Sequence, residues 1–376
     1  MLAGILSIAL SLASLAASLV ATGLWLRGRK ALSRPVPPAS VVIVLPVTER
    51  DPLEPGLLRT LVAADTGIPT RIRVAAGIMD DRNPRIYQEC LARLPSADCR
   101  LDSVAVPAHQ VPVAAIAMAV LREESADVAV FVDARSRPAS RDPARLAASL
   151  GTGNDLVIPC PSPVPGGSIG DRMAGRALGD LVPLLRATIG PGGLPGGTAA
   201  VAMAALGPVF GDPMACNRAT LGASVARHVP RGRSVLVPLP VGVLPARIRD
   251  MRAEILACSI RAEPVRVVWL LSALAALPFS MGALLFGPGP WLGVSTVSFL
   301  VALAARAILA GTWSRDLHGG GPALHGLFAA PLRDARAVGS LLAAIGGATR
   351  RIDGVSFRMR KGGILIPVDR SGDSET

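Results

Sequence analysis

The chain has 376 residues, 51% of them hydrophobic and only 18% charged, and its mean hydropathy is +0.47. So much apolar surface excludes low-hydrophobicity disorder and argues against a wholly water-soluble globule. The net charge is +12, but aromatics are 3% of the chain and the basic residues are scattered, which argues against binding to single-stranded nucleic acid. Lys30 and Lys361 are the only lysines among 39 basic residues, an arginine bias that fits a GC-rich genome. The five cysteines show no C-x-x-C spacing and no histidine in ligand rhythm, so neither a zinc site nor a disulfide framework is expected.

Met1 to Leu26 carries no charge, which is long enough to cross the ~30 Å hydrocarbon layer as a helix. Arg27, Arg29, Lys30 and Arg34 follow it. A cleaved signal peptide carries its basic residues before the apolar run, so this segment reads as an anchor. The positive-inside rule then places residue 30 onward in the cytoplasm.

Between this anchor and the next apolar stretch, short apolar runs alternate with helical patterns. Strands are predicted over Ser40–Pro46, Arg71–Ile78, Leu101–Val106 and Asp127–Asp133. Helices are predicted over Glu54–Ala64 and Pro84–Arg93, near 112–123 and near 142–150. The alternation implies an α/β domain with a mostly parallel sheet covered on both faces. Ligands of such sheets bind beyond the carboxyl ends of the strands. Asp133 ends the strand AVFVD, and Asp80 and Asp81 follow the strand RIRVAAGI, so all three are candidates to face one crevice. A strand-ending Asp also commonly caps the next turn.

Val267 to Ala305 is charge-free and divided by Gly287-Pro288-Gly289-Pro290, which predicts a helical hairpin over roughly 267–286 and 291–310. Arg261 and Arg266 precede it, and Arg306 and Arg315 close it on the cytoplasmic side. Residues 321–349 are apolar but interrupted by Arg333, Asp334 and Arg336, a pattern of a segment that lies in the interface or re-enters the membrane. The basic run from Arg350 to Lys361 fits anionic headgroups and equally fits a topology signal. The spans carry no buried ionisable pair by sequence, which argues against a transport pathway.

Several stretches carry a family resemblance. They are PASVVIVLPV, AAGIMDDRNP, VAVFVDARSRP, GGTAAVAMAAL and, most specifically, APLRD followed by RRIDGVSFRMRKGGILIP. On these the chain resembles membrane-bound family 2 glycosyltransferases of the ceramide glucosyltransferase type, including the hopanoid-associated bacterial branch. The resemblance implies a GT-A-like nucleotide-diphospho-sugar transferase domain with N-terminal and C-terminal transmembrane helices. The implied organisation is an anchor over 1–30, a cytoplasmic domain over 40–245, an interfacial basic segment over 246–266, the hairpin over 267–310 and a membrane-associated region over 321–376. The implied place is a bacterial inner membrane. The implied reaction moves a sugar from a nucleotide-sugar donor, expected to be a UDP-sugar, to a membrane lipid acceptor at the cytoplasmic leaflet.

The family's motifs are altered here. Its metal-binding pair of acids reads Asp133-Ala134-Arg135. A hard divalent cation needs oxygen ligands, which a guanidinium does not supply. Asp133 therefore remains as the one metal candidate. Asp80, Asp81, Asp133 and Arg135 together are the donor-binding candidates. The region of the catalytic base reads Asn217-Arg218-Ala219-Thr220-Leu221-Gly222, where neither Asn nor Arg takes a proton at neutral pH. Asp212 is the nearby carboxylate, in a Gly211-Asp212-Pro213 sequence that also reads as a turn. The last motif reads Arg249-Asp250-Met251-Arg252-Ala253, keeping two arginines able to clamp a diphosphate and losing the tryptophan. The basic pair fits lipid headgroups equally well. The glycine-rich run 190–197 reads as a loop over the site, and His228 and His318 as surface residues. Two classes of function follow. One is an active lipid glycosyltransferase in which Arg135 supplies the charge that a metal gives elsewhere. The other is a catalytically silent homologue acting as a membrane scaffold or regulatory partner for proteins of a lipid-modifying pathway.

Overall fold

The computed structural model describes residues 2–48, 55–63, 67–78, 99–105, 111–163, 181–188, 197–218, 221–244, 264–286, 289–317, 330–346, 349–352, 355–360 and 364–368. The predicted helix Pro84–Arg93, His318, and the candidates Asp80, Asp81, Arg249 and Arg252 lie outside them.

Helix α1 (Leu2–Ser33) leads to strand β1 (Val41–Val47), whose seven residues are all buried. Helix α2 (Pro55–Val62), β2 (Thr70–Ile78), β3 (Cys99–Ala105), α3 (Pro112–Arg122) and β4 (Val128–Phe131) follow. These lie where the apolar runs and helical periods predict them, with ends shifted by a few residues. Next come β5 (Ser136–Arg137), α4 (Asp142–Ala148), β6 (Leu156–Pro163), α5 (residues 181–188) and β7 (Ala199–Ala202). The domain closes with α6 (Gly207–Gly211), α7 (Leu221–His228) and β8 (Ser234–Val243).

The eight strands lie in the order β3-β2-β1-β4-β7-β6-β8-β5. The β1–β2, β2–β3, β1–β4 and β6–β8 pairings are parallel, and β7 and the short β5 run against their neighbours. Val, Ile and Leu on both faces of β1 explain its full burial, since a parallel strand is covered from both sides. One apolar cluster joins Val42, Val44, Ile116, Leu121 and Phe131 on one face. Another joins Ile43, Leu45, Leu57, Leu58, Val130 and Val237 on the other. The chain leaves β1 toward β2 on one side and returns to β4 on the other. The carboxyl ends of β1 and β4 therefore flank the topological switch point of the sheet.

Among the described residues, three helices are long and apolar enough to cross a membrane: α1, α8 (Pro264–Phe286) and α9 (Leu292–Leu317). α1 and α9 run in the same direction. The Ser11 hydroxyl donates to Ser298 O (2.8 Å), and the Trp25 and Trp313 rings lie 5.7 Å apart. α1 runs past Leu26 through the basic residues Arg27, Arg29 and Lys30. Two of these residues make contacts in the fold. Arg27 bonds Gly232 O, and Arg29 sits 3.3 Å from Asp316, whose carboxylate also accepts from Trp25 Nε1 at 2.9 Å. Gly28 lies against the backbone of Leu236 in β8. The last turns of α1 are thus part of the α/β domain, because a 32-residue helix of about 48 Å outruns the hydrocarbon layer.

Helix α10 (Ala330–Gly346) places Asp334 within 2.6 Å of Arg306 Nε, with side chains only 3% and 2% exposed. This corrects one expectation. Arg306 does not close the hairpin, since α9 continues to Leu317, and its partner comes from α10, outside the three membrane-length helices. The two partners come from separate apolar segments, and only packing brings them together.

The C-terminal strands β9 (Thr349–Ile352), β10 (Val355–Arg360) and β11 (Ile364–Pro367) form an antiparallel meander. Phe357, Met359 and Leu365 pack on Val111 and Ala114 at the start of α3.

Candidate functional site

The clearest site is the turn after β4. Val132 still pairs with β1, its N–H donating to Val44 O at 3.0 Å, and Asp133 then leaves the ladder at the switch point. Its carboxylate does two things. Oδ1 accepts the Arg135 N–H at 2.9 Å, an Asx turn that fixes the side chain. Oδ2 lies against Gly197, where a β-carbon would come within 2.5 Å of it. The carbonyl of Asp133 accepts both the N–H (2.8 Å) and the hydroxyl (2.7 Å) of Ser136. Thr198 closes the ring, with its Oγ1 3.3 Å from the Asp133 N–H and 3.1 Å from Ser136 Oγ.

β7 brings Gly197 and Thr198 here because it runs antiparallel to β4, with Ala199 opposite Phe131. Arg135 is tied to the other end of the sheet, since its carbonyl accepts the Leu244 N–H at 3.2 Å just beyond β8. Arg137 donates to Ala134 O and Ser136 O, and burial lowers its pKa. Asp133 and Arg135 thus share one turn, Gly197 of the glycine-rich run lies on it, and Thr198 and Ser136 are site residues that motif reading missed. The GGT at 196–198 was the available signal: two glycines and a hydroxyl at a strand start.

Asp212 stands elsewhere, after α6 on the sheet face that α3 covers. α6 touches the end of α3, through Arg122 Nη2 to Phe210 O (3.1 Å), and the next turn reaches the start of α3, through the Val111 N–H to Cys216 O (2.9 Å). Asp212 Oδ1 accepts the Met214 N–H at 2.9 Å, and its Oδ2 is 3.0 Å from His228 Nε2. His228, expected at the surface, is half-buried in an ion-pair geometry. Burial pushes the Asp212 carboxyl up, but the Met214 amide, His228 and Arg218 outweigh it and hold it below its ordinary range.

The positions corresponding to the family's base region have another role here. Asn217 Nδ2 donates to Leu365 O at 3.3 Å, and Arg218, also buried, bridges Ile364. Both seat the C-terminal meander.

A divalent cation does not fit the described part of the site. Asp133 is one carboxylate with one oxygen already bonded to a backbone amide, and Arg135 occupies the second position. Among the described residues no group of three or more His, Cys, Asp or Glu side chains is placed to hold a metal ion.

No family model matches the chain, and no curated protein does. Among solved structures it is similar to the mannosyltransferase PcManGT from Pyrobaculum calidifontis in complex with GDP-Man and Mn2+, at 16% identity and a TM-score of 0.46, over 92% of this chain and 99% of that one. It is similar to S. aureus TarS 1-349 in complex with UDP-GlcNAc, at 13% identity and a TM-score of 0.39, over 88% of this chain and 99% of that one. It is also similar to glucosyl-3-phosphoglycerate synthase from Mycobacterium tuberculosis, at 16% identity and a TM-score of 0.37, over 65% of this chain and 81% of that one. At these scores the likeness carries no argument about activity, which must come from the residues of this chain.

Proposed function

We propose that this chain is a membrane-bound glycosyltransferase that moves a sugar from a nucleotide-sugar donor, a UDP-sugar, to a lipid hydroxyl at the cytoplasmic leaflet. The observation that carries the reading is Asp133, fixed by its Asx turn at the β1/β4 switch point, where α/β sheets bind their ligands. Three apolar helices support a lipid acceptor, since helices of that length would hold such a crevice beside a bilayer.

The chemistry needs positive charge where the leaving diphosphate gains negative charge, and a carboxylate to take the acceptor proton. Arg135, next to Asp133, supplies the first. Arg249 and Arg252 assist by clamping the diphosphate. Asp133, with Asp80 and Asp81, orients the donor. Asp212, the base candidate of the sequence, stands apart from this turn with its carboxylate on His228, so it is not assigned the acceptor proton.

The full chain in lipid nanodiscs, given a panel of nucleotide sugars and a bacterial lipid extract, tests this. A glycolipid product that persists in EDTA and disappears in Asp133→Ala is expected. Loss of turnover on EDTA treatment overturns the role given to Arg135. Absence of turnover with every donor, in a protein that stays folded, supports the scaffold reading instead.

A further inference from the structure

The pair of Asp334 and Arg306 fixes how α10 lies against α9. Ala330 clusters with Ala302, Asp334 bonds Arg306, and Ala337 lines one small space with Leu309 and Trp313. Ala330 and Ala302, and Ala337 and Leu309, are separated by the same 28 positions as the ion pair. α10 therefore runs beside α9 in the same direction, turn for turn. α8 agrees from the other side. Its Ala276 and Leu277 join the cluster of Ala330, and Leu274, about one turn earlier, lies beside Arg333 and Asp334.

This register sets a depth. Trp313 lies 5.7 Å from Trp25, and Asp316 contacts both Trp25 and Arg29, so the polar border of α1 and α9 is here. Ala302 is eleven residues before Trp313, about 16 Å away at ~1.5 Å per residue. That distance is about half of a ~30 Å hydrocarbon layer. α10 thus starts level with the middle of a membrane-length helix. It ends at Gly346, and the meander that follows packs on α3 in the α/β domain.

The outer face of α10 suits lipid. Leu332 (66%), Ala335, Gly339 and Leu342 (54%) are exposed on it, whereas a helix bathed in water turns polar residues outward. Its charges fit the same depth. Asp334 is sealed on Arg306, and Arg333 Nε lies 3.4 Å from Asp334. Arg336 is exposed but level with Ile308, about 8 Å from Trp313 at ~1.5 Å per residue, and a long side chain reaches the border from there.

We propose that α10 is a re-entrant half-helix. It begins near the middle of the bilayer, follows the half of α9 nearer the α/β domain, and offers its outer face to the acyl chains of that leaflet. The Arg306–Asp334 pair holds it at this depth. The proposal rests on the reading of α1, α8 and α9 as membrane spans, and it is independent of sugar transfer. An amphipathic helix lying flat in the interface would instead keep all its residues at one depth.

The full chain is reconstituted in liposomes of phosphatidylcholine and phosphatidylglycerol. A nitroxide is attached through a keto amino acid at position 332, 335 or 342, all exposed on α10, which leaves the five native cysteines in place. Electron paramagnetic resonance compares collision with oxygen, which concentrates among acyl chains, and with a water-soluble nickel chelate. Depth is expected to fall in the order 332, 335, 342. The ratio of oxygen to nickel collision at 332 should be roughly tenfold that at 342, since hydrocarbon excludes a hydrated chelate. Position 300, where Leu300 is 56% exposed on α9, tests the membrane reading itself. A label excluded from nickel at 300 but equally shallow at 332, 335 and 342 overturns the half-helix alone. Nickel access at 300 overturns the membrane reading, and the proposal with it.

Discussion

Gly197 lies so close to Asp133 that a β-carbon on it would stand 2.5 Å from Oδ2 and 3.2 Å from Cβ of the aspartate. The contact joins the start of β7 to the end of β4 at the point where the sheet's strand order reverses. Only a residue without a side chain lets the carboxylate keep its present rotamer.

Gly197→Ala is therefore expected to push the Asp133 carboxylate aside while leaving the sheet in place. Overpacking of this kind costs about 1–3 kcal/mol. A displacement of about 1 Å in a positioned group costs roughly 10²-fold in rate. Sugar transfer measured beside thermal unfolding checks both. Full activity in Gly197→Ala would remove Asp133 from the site.

Gly28 has the same kind of contact with a different consequence. A β-carbon there collides with the carbonyl oxygen of Leu236 in β8. Gly28→Ala is expected to separate the end of α1 from the domain. It should lower the unfolding temperature in detergent and expose Arg27 and Arg29 to limited proteolysis with trypsin. Gly23→Ala, with open space around it, is the control and should change neither.

Asp212 gives a pH dependence with a definite sign. Its folded pKa is depressed, so it contributes stability above the ordinary carboxylate pKa of ~3.9 and loses that contribution as pH falls through the lower folded value. Wild-type protein should lose stability on acidification through this window more steeply than Asp212→Asn. Unfolding midpoints recorded from pH 6 downward, about two units past the carboxylate range, compare the two slopes. Parallel slopes would mean that the Met214 amide, His228 and Arg218 do not hold the carboxyl below its ordinary range.

Asp334→Ala leaves the Arg306 guanidinium buried without its counter-charge. Breaking a buried pair from one side costs about 3–5 kcal/mol, whereas replacing both partners with apolar residues is often close to neutral. Asp334→Ala should therefore unfold far more readily in detergent than Arg306→Met combined with Asp334→Leu. Equal losses in the two proteins would show that the pair is not coupled.

The strands were legible because their signal is local. SVVIVLP and DVAVFVD are short, apolar and β-branched, and such runs bury as parallel strands without further information. The placement of Asp133 followed from the same rule, since a polar residue ending a buried strand must sit at the sheet's edge. The partners of these residues were not legible. Thr198 and Ser136 are 62 positions apart, Asp212 and His228 are 16, and Arg306 and Asp334 are 28. Each pair depends on which elements lie side by side. Nor was it legible that the Asn217 side chain and the Arg218 backbone hold the C-terminal meander.

The apolar runs, their periods and their charge-free lengths were thus enough, by themselves, to predict an α/β domain and three apolar helices. Hydrophobic periodicity and charge-free length are properties of neighbouring residues, so they survive in one dimension. Tertiary packing alone decided what the charges do. It gave Arg27 and Arg29 their contacts of α1 with the domain and α9, and it buried Arg306 against Asp334. Ion pairs and turn contacts act over a few ångströms, and only the folded chain brings distant residues within that reach.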